Sequence, residues 1–548
     1  MTEKQSVAGT PRRNAFTRFL DGVEWLGNLL PHPVTLFAVL AAGIVVLSGI
    51  FGWMGLAVED PRPAGAPGVA EDGMITAVSL MNGEGLRRIF TNLVDNFTDF
   101  APLGVVLVAM IGVGVAEKSG LLSAAVRSMV LGAPKNLVTV AIVFAGIVSN
   151  TASEVGYVVL IPLAGAIFYA LGRHPLAGMA AAFAGVSGGY SANLLIGTID
   201  PLLAGITEEA AQLIDPNYEV AAPANWYFMV ASTFLITFVG SLVTIFIVEP
   251  KLGEYDSSRA DKTILDKTMM QALTSKEKSG LRWAGIALLG VLLAMAYTLL
   301  PREGLALPGM SAAIGGDFIP GWGVLRDPET ESAMRSPFFS GFVVWILIFF
   351  MVTGYTYGRV AGTMKGDRDV IDAMSEALAS LGLYIVLVFF AAQFVAFFGW
   401  TNLGAISAVT GAQFLQDTGM TGPIVFVFFI LMCAIINLSL GSASAQWAVT
   451  APIFVPMLML IGYSPEVIQA AYRIGDSTTN IITPMMSYFG LILAWASRYD
   501  KDLGVGTLIA MMLPYSIFFM ATWSLFFLAW TFGMDLPVGP GSPTYFSP

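Results

Sequence analysis

TGPIVFVFFILMCAIINLSLGSASAQWAVTAPIFVPMLMLIGY, residues 421–463, decides the fold. A membrane-crossing helix needs roughly 20 apolar residues. This stretch is too long for one crossing and too short for two ordinary helices with a loop. A small polar cluster, Gly441-Ser442-Ala443-Ser444, sits near its middle. The stretch reads as a re-entrant hairpin whose tip stops inside the bilayer. Residues 137–172 repeat the pattern around Ser149-Asn150-Thr151-Ala152-Ser153. Non-helical backbone at membrane depth is tolerated only where protein or a watery cavity satisfies its polar groups.

The rest of the 548-residue chain fits that frame. It is 56% hydrophobic and 12% charged, which places it among polytopic membrane proteins. A net charge of −11 without a basic tract excludes nucleic acid as a partner. Cys433 is the only cysteine, so there is neither an intrachain disulfide nor a cysteine metal site. His32 and His174 each adjoin proline and read as helix-boundary residues. Nine further apolar segments read as spanning helices: 33–57, 100–117, 175–197, 224–249, 283–300, 338–360, 373–400, 466–497 and 505–533. The first is too long for a signal-peptide core and reads as an uncleaved membrane helix. Gly404–Gln416 reads as a short amphipathic helix at the outer interface. The loops 58–99, 250–281 and 301–336 read as solvated connectors without chemistry.

Charge tests this topology. With the N-terminus cytoplasmic and each hairpin returning to its own side, the cytoplasmic segments hold 20 of the 27 Lys and Arg. The outer segments hold Arg62, Arg87, Arg88, Arg302, Arg326 and Arg335. This is the bias of the positive-inside rule, and reading either hairpin as a single crossing would spoil it. The hairpins then enter from opposite faces. Each precedes a span interrupted by polar and glycine residues, at Gly188–Asn193 and Gly475–Asn480. Asn150 to Asn193 is 43 residues, and Asn437 to Asn480 is again 43. Opposed hairpins with matched spacing describe an inverted-repeat transporter whose site lies between the halves.

Arg473 is the one basic residue that no loop or boundary accommodates. A charge at mid-membrane costs roughly 2.5–3.5 kcal/mol on insertion scales and marks a solute or ion path. Its planar fork suits a carboxylate. Asp476, three residues on, either ligates a cation, carries a proton or simply neutralises Arg473. Ser149, Asn150 and Thr151 facing Asn193 form one constellation of oxygens; Asn437, Gly441, Ser442 and Ser444 facing Gly475–Asn480 form the other. Exposed carbonyls and side-chain oxygens at such ends suit Na⁺, although the same residues also serve as glue between membrane helices. Glu154 is the other acid at membrane depth, Trp447 can stack on an aromatic ring or simply pack, and Asp200 reads as a boundary acid. Pro162, Pro452, Pro456 and Pro484 fall inside apolar segments and set kinks or hinges. No nucleophile, Walker or zinc motif is present, and Gly185–Gly189 follows no strand.

The segments SNTASEVGYVVLIPLAG (149–165), GGYSANLLIGTIDPLLAGIT (188–207), GSASAQWAVTAPIFVPM (441–457) and YRIGDSTTNIITPMMSYFG (472–490) resemble the AbgT family of p-aminobenzoyl-glutamate transporters. That family includes antimetabolite exporters of the MtrF and YdaH type, and the likeness spans almost the whole chain. It implies an all-α polytopic protein with nine transmembrane helices and two opposed re-entrant hairpins, homodimeric, in the bacterial inner membrane. It also implies a scaffold of 33–57 and 224–400, and a core of 100–223 and 401–533. Residues 1–32 would be a cytoplasmic segment and 534–548 an external tail. Carried over by motif, Asp200, Trp447, Pro465, Arg473, Asp476 and Pro484 would serve transport, and Asn437, Gly441 and Asp476 would hold Na⁺.

The expected function is ion-coupled secondary transport of p-aminobenzoyl-glutamate and related folate-pathway aromatic carboxylates. Na⁺ or H⁺ would be the coupling ion, with no other cofactor, and the core would slide against the scaffold. The alternatives are proton-driven export of sulfonamide-type antimetabolites, a passive channel, and a membrane hydrolase. The channel conflicts with hairpins that meet at mid-membrane, and the hydrolase lacks a catalytic constellation.

Overall fold

The structure is a computed structural model describing residues 32–63, 69, 71–152, 156–256, 272–299, 323–330, 332–333 and 336–546. Glu154, the segment 1–31, Arg302 and Arg335 lie outside the described residues. The first half comprises α1 (Pro33–Met54), α2 (Gly83–Thr98), α3 (Ala101–Lys118), α4 (Leu121–Leu131), α5 (Val138–Ser149), α6 (Ile161–Ala170), α7 (Pro175–Phe183) and α8 (Ile199–Ala211). Then follow α9 (Trp226–Val243), α10 (Ser275–Leu299), α11 (Phe342–Ala361), α12 (Asp367–Ser380) and α13 (Gly382–Trp400). The last part holds α14 (Leu403–Asp417), α15 (Val425–Leu440), α16 (Ala443–Leu460), α17 (Pro465–Asn480), α18 (Phe489–Ala496) and α19 (Val505–Leu528).

Eight helical segments are long and apolar enough to span a bilayer: 33–54, 83–118, 226–252, 275–299, 342–361, 382–400, 443–460 and 505–533. Setting aside 443–460, the returning limb of the second long apolar stretch, and counting 175–211 and 465–496, each two helices with a break between them, gives nine candidate spans among the described residues. The chain is an all-α polytopic membrane protein.

Both long apolar stretches fold back on themselves. In the first, α5 and α6 flank the tip, and Arg173 Nη1 donates to Thr139 Oγ1 at 2.9 Å to close the base. In the second, α15 ends at Gly441 in the left-handed region (φ +56), α16 returns, and Tyr463 OH donates to the Thr421 carbonyl at 2.8 Å. The bases lie at opposite ends of the 27-residue helix 226–252, which is about 40 Å long. Arg173 pairs with Glu249 at one end (2.5 Å). Asn225, just before α9, donates to the Glu466 carbonyl at the other (2.8 Å). The C-terminal tail seals that second end, with Phe546 N donating to the Gly462 carbonyl at 2.9 Å.

Four sequence expectations are corrected. The span placed at 175–197 runs on to Ala211: α7 loosens into π turns over 184–188, the chain is irregular through 189–198, and α8 completes the crossing. The segment 373–400 divides at Leu381 into amphipathic α12 and spanning α13, because Asp367, Asp369, Asp372 and Glu376 give α12 a charged face. The second interruption falls at 481–488 rather than within Gly475–Asn480. There Thr478 and Thr479 donate their hydroxyls to the carbonyls of Ile474 (2.7 Å) and Gly475 (2.9 Å), so the polar run stays helical. Pro484, lacking an N–H, sits in the break that follows. Finally, the loop 58–99 carries a short hairpin, Ala57–Glu59 with Met74–Thr76, and the strongly amphipathic α2.

Candidate functional site

The site grows from α17. Pro465 occupies its first turn, where a missing N–H costs nothing, and the Ser464 hydroxyl accepts from Val467 N at 3.3 Å. Every residue of α17 is buried, although the helix carries Glu466, Gln469, Arg473, Asp476 and Asn480. So polar a helix is stable only where neighbouring helices satisfy it.

Asn437 on α15 does much of this. Its Nδ2 lies within hydrogen-bonding distance of the Asp476 carbonyl (2.9 Å), Thr479 Oγ1 (3.0 Å) and Asn480 Oδ1 (2.8 Å). Gly475 permits the approach, since a Cβ there would stand 2.5 Å from the Ile430 carbonyl oxygen. The first half repeats the device. Asn150 Nδ2 donates to the Val186 carbonyl at 2.8 Å, Thr151 Oγ1 donates to Asn193 Oδ1 at 2.9 Å, and a Cβ on Gly185 would collide with the Val143 carbonyl. In each half a tip asparagine ties the hairpin to the broken span beside it. Gly475→Ala is therefore expected to cost about 1–3 kcal/mol by overpacking, seen as a lowered thermal midpoint; an unchanged midpoint would mean that α15 and α17 do not meet there.

Arg473 does not pair with Asp476. Its Nη2 donates to Asp200 Oδ1, and Asp200 Oδ2 accepts from Gly197 N at 2.6 Å. The two side chains are 3% and 2% exposed, so Asp200 is not a boundary acid but the buried counter-ion of Arg473. Its place just before Pro201, at the start of a helix, was the local signal, since acids favour helix N-termini. Among the described residues, Arg473 Nε and Nη1, Asp476 Oδ1, Asn437 Oδ1 and Ser191 Oγ have no hydrogen-bond partner. Buried polar atoms are seldom left so.

A cavity of about 870 Å³ lies between the two tips and the two breaks. Its core wall includes Asn150, Tyr157, Tyr190, Gly441, Ser442, Ser444 and Asn480; α3, α12 and α13 supply the facing wall through Met110, Ala377 and Tyr384. Tyr157 and Tyr488, one from each half, stack at 4.5 Å with planes 10° apart. An exposed Lys118–Glu376 pair (2.5 Å) belongs to the same cavity. Of the expected site residues, Asn150, Gly441, Ser442 and Ser444 reach this cavity. Arg473, Asp476 and Asp200 are buried and do not line it. Asn193, Asn437 and Pro465 are buried within the core, Pro484 is in the second break, and Ser149 and Thr151 face a different, apolar groove. Trp447 is fully buried, stacks on Tyr472 at 4.3 Å and donates Nε1 to Thr207 Oγ1 at 2.8 Å. The tyrosines of the wall were missed, because an isolated Tyr in an apolar run carries no signal of its own.

Among the described residues no group of three His, Cys, Asp or Glu could hold a metal ion.

Comparison with known proteins fits this geometry. A family model described as the AbgT putative transporter family matches residues 18–316 and 305–546. The p-aminobenzoyl-glutamate transport protein of Escherichia coli K12 is 35% identical over 536 residues, covering 98% of this chain and 99% of the relative. The crystal structure of the Alcanivorax borkumensis YdaH transporter, described as having an unusual topology, superposes with a TM-score of 0.82 at 43% identity, over 93% of this chain and 100% of that one. The structure of Neisseria gonorrhoeae MtrF, from a class described as antimetabolite efflux pumps, superposes with a TM-score of 0.87 at 56% identity, over 96% of this chain and 100% of that one.

Proposed function

We propose that this chain, which belongs to the AbgT transporter family, is an ion-coupled secondary transporter of p-aminobenzoyl-glutamate and related folate-pathway aromatic carboxylates. It is a transport protein rather than an enzyme, as its relatives are. The observation that carries the substrate reading is the cavity between the hairpin tips. Its volume falls within the roughly 300–1,000 Å³ of small-molecule sites. Its wall combines four tyrosines with serine and asparagine groups, and the buried guanidinium of Arg473 belongs to the helix whose last residue, Asn480, reaches the cavity. Tyrosine faces accept an aromatic ring, and the guanidinium draws a carboxylate.

Transport proceeds by alternating access. One wall belongs to the hairpins and broken helices and the other to α3, α12 and α13, and the first moves against the second in a sliding motion. The lysine-rich end at Lys118 is the cytoplasmic one in a bacterial inner membrane, with the N-terminus inside. Na⁺ engages Asn437, Gly441 and Asp476, where side-chain oxygens lack partners; a proton on Asp476 is the competing coupling. The molecule works as a homodimer.

Proteoliposome uptake of labelled p-aminobenzoyl-glutamate under an imposed Na⁺ or H⁺ gradient tests this directly. Accumulation is expected to follow one of the two gradients; uptake indifferent to both refutes coupling. The 56% identity to MtrF favours a second reading, proton-driven export of sulfonamide-type antimetabolites. It predicts that labelled sulfonamide leaves loaded vesicles faster when protons flow the opposite way.

A further inference from the structure

A second cavity, of about 280 Å³, lies apart from the transport cavity. It is bounded by α4, α10 and α11 on one side and by the tip of the first hairpin on the other, at Val148, Ser149 and Thr151. Its two polar side chains at that tip are already engaged. The Ser149 hydroxyl donates to the Gly146 carbonyl at 2.6 Å, and that of Thr151 lies within hydrogen-bonding distance of the Val148 carbonyl (2.8 Å) and Asn193 Oδ1 (2.9 Å). What faces the space is therefore hydrocarbon, with nothing left to satisfy a polar ligand. Its volume falls below the roughly 300 Å³ at the low end of drug-sized sites.

The groove continues onto the lipid-facing surface. On α10, Ile286, Leu289, Leu292 and Leu293 are exposed beside the groove residues Leu281, Gly285 and Leu288. Gly285 itself makes the opening, because a Cβ there would meet nothing within 4 Å. Lys278 lies one turn before Leu281 on that face, and Arg282 follows Leu281 on the side of Ile286 and Leu289; both are exposed, with Lys276 nearby. The acid among them, Glu277, is bound to Arg127 of α4 at 3.1 Å. The end of the groove is thus basic, and its length is apolar.

We propose that this groove is a site for one anionic phospholipid, its phosphate held by Lys278 and Arg282 and an acyl chain lying against the first hairpin tip. Basic residues at the end of an apolar groove between membrane helices are the physical requirements for holding such a lipid. The chain packs on the back of the tip whose Asn150 faces the transport cavity. The lipid therefore joins the scaffold helices α10 and α11 to a tip that must move during transport.

Native mass spectrometry of the purified full-length protein, equilibrated with mixed phosphatidylglycerol and phosphatidylethanolamine, reads the site without reference to transport. The wild type is expected to retain phosphatidylglycerol preferentially. Lys278→Gln with Arg282→Gln should weaken that retention about 25-fold, near 5-fold for each surface charge removed. Gly285→Leu, which adds a helix-favouring side chain into open space, should displace the lipid while leaving the thermal midpoint in detergent unchanged. Equal retention of both lipids by the wild type overturns the proposal, and so does undiminished phosphatidylglycerol retention by Gly285→Leu.

Discussion

Arg473→Ala is expected to lower uptake of an aromatic carboxylate roughly 100-fold, as the loss of a charge-assisted contact worth up to about 3 kcal/mol implies. It should also destabilise the protein. Asp200 is buried against Arg473, and removing one partner of a buried pair typically costs about 3–5 kcal/mol because the other charge is left uncompensated. Loss of transport in the single variant would therefore not distinguish substrate binding from collapse of the core. The double variant Arg473→Ala, Asp200→Asn makes the distinction. Neutralising the orphaned carboxylate should return most of the thermal midpoint while leaving uptake abolished. If the double variant regained uptake as well, Arg473 would be structural alone and the carboxylate-binding role would fail. Asp200→Asn by itself leaves a guanidinium whose Nε and Nη1 already lack partners. It should weaken the midpoint less than Arg473→Ala, since arginine tolerates burial through its delocalised charge.

Much of this architecture was legible because the bilayer allows few solutions. A backbone that cannot stay unpaired in hydrocarbon forces an apolar stretch of awkward length, with small polar residues at its centre, into a hairpin. Both hairpins, and the asparagines at 150 and 437 that tie them to the broken spans, could be found on that ground. The partner of Arg473 could not. Asp200 is 273 residues away, and its meeting with α17 depends on a break at 189–198 whose far limb reads as loop when only apolar runs are counted. The second break was misplaced for a related reason. Serine and threonine in sequence suggest an interruption, yet their hydroxyls can return to their own helix carbonyls, as Thr478, Thr479 and Thr483 do. The cavity's tyrosines were invisible because a wall is a property of packing.

Gly441→Ala should all but abolish coupled transport, and the cause can be isolated by a control within the same hairpin. Gly441 ends α15 at φ +56, where any other residue is strained by about 1–2 kcal/mol. Its Cβ would also meet the Met485 carbonyl at 3.0 Å, in the backbone of the second break. The tip would be pushed off the break, opening the contact between the second hairpin and the second break. Gly462, at the base of that hairpin, has φ +100, and a Cβ there would meet nothing within 4 Å. Gly462→Ala therefore carries backbone strain without the collision. Both variants should lower the thermal midpoint, Gly441→Ala by more because the collision adds to the strain. Only Gly441→Ala should lose uptake, by at least about tenfold, with a higher Na⁺ concentration needed for half-maximal rate if Na⁺ couples; a tenfold loss corresponds to about 1.4 kcal/mol. Equal uptake by the two would mean that the tip does not act through the break, and that the second hairpin holds the fold without taking part in transport.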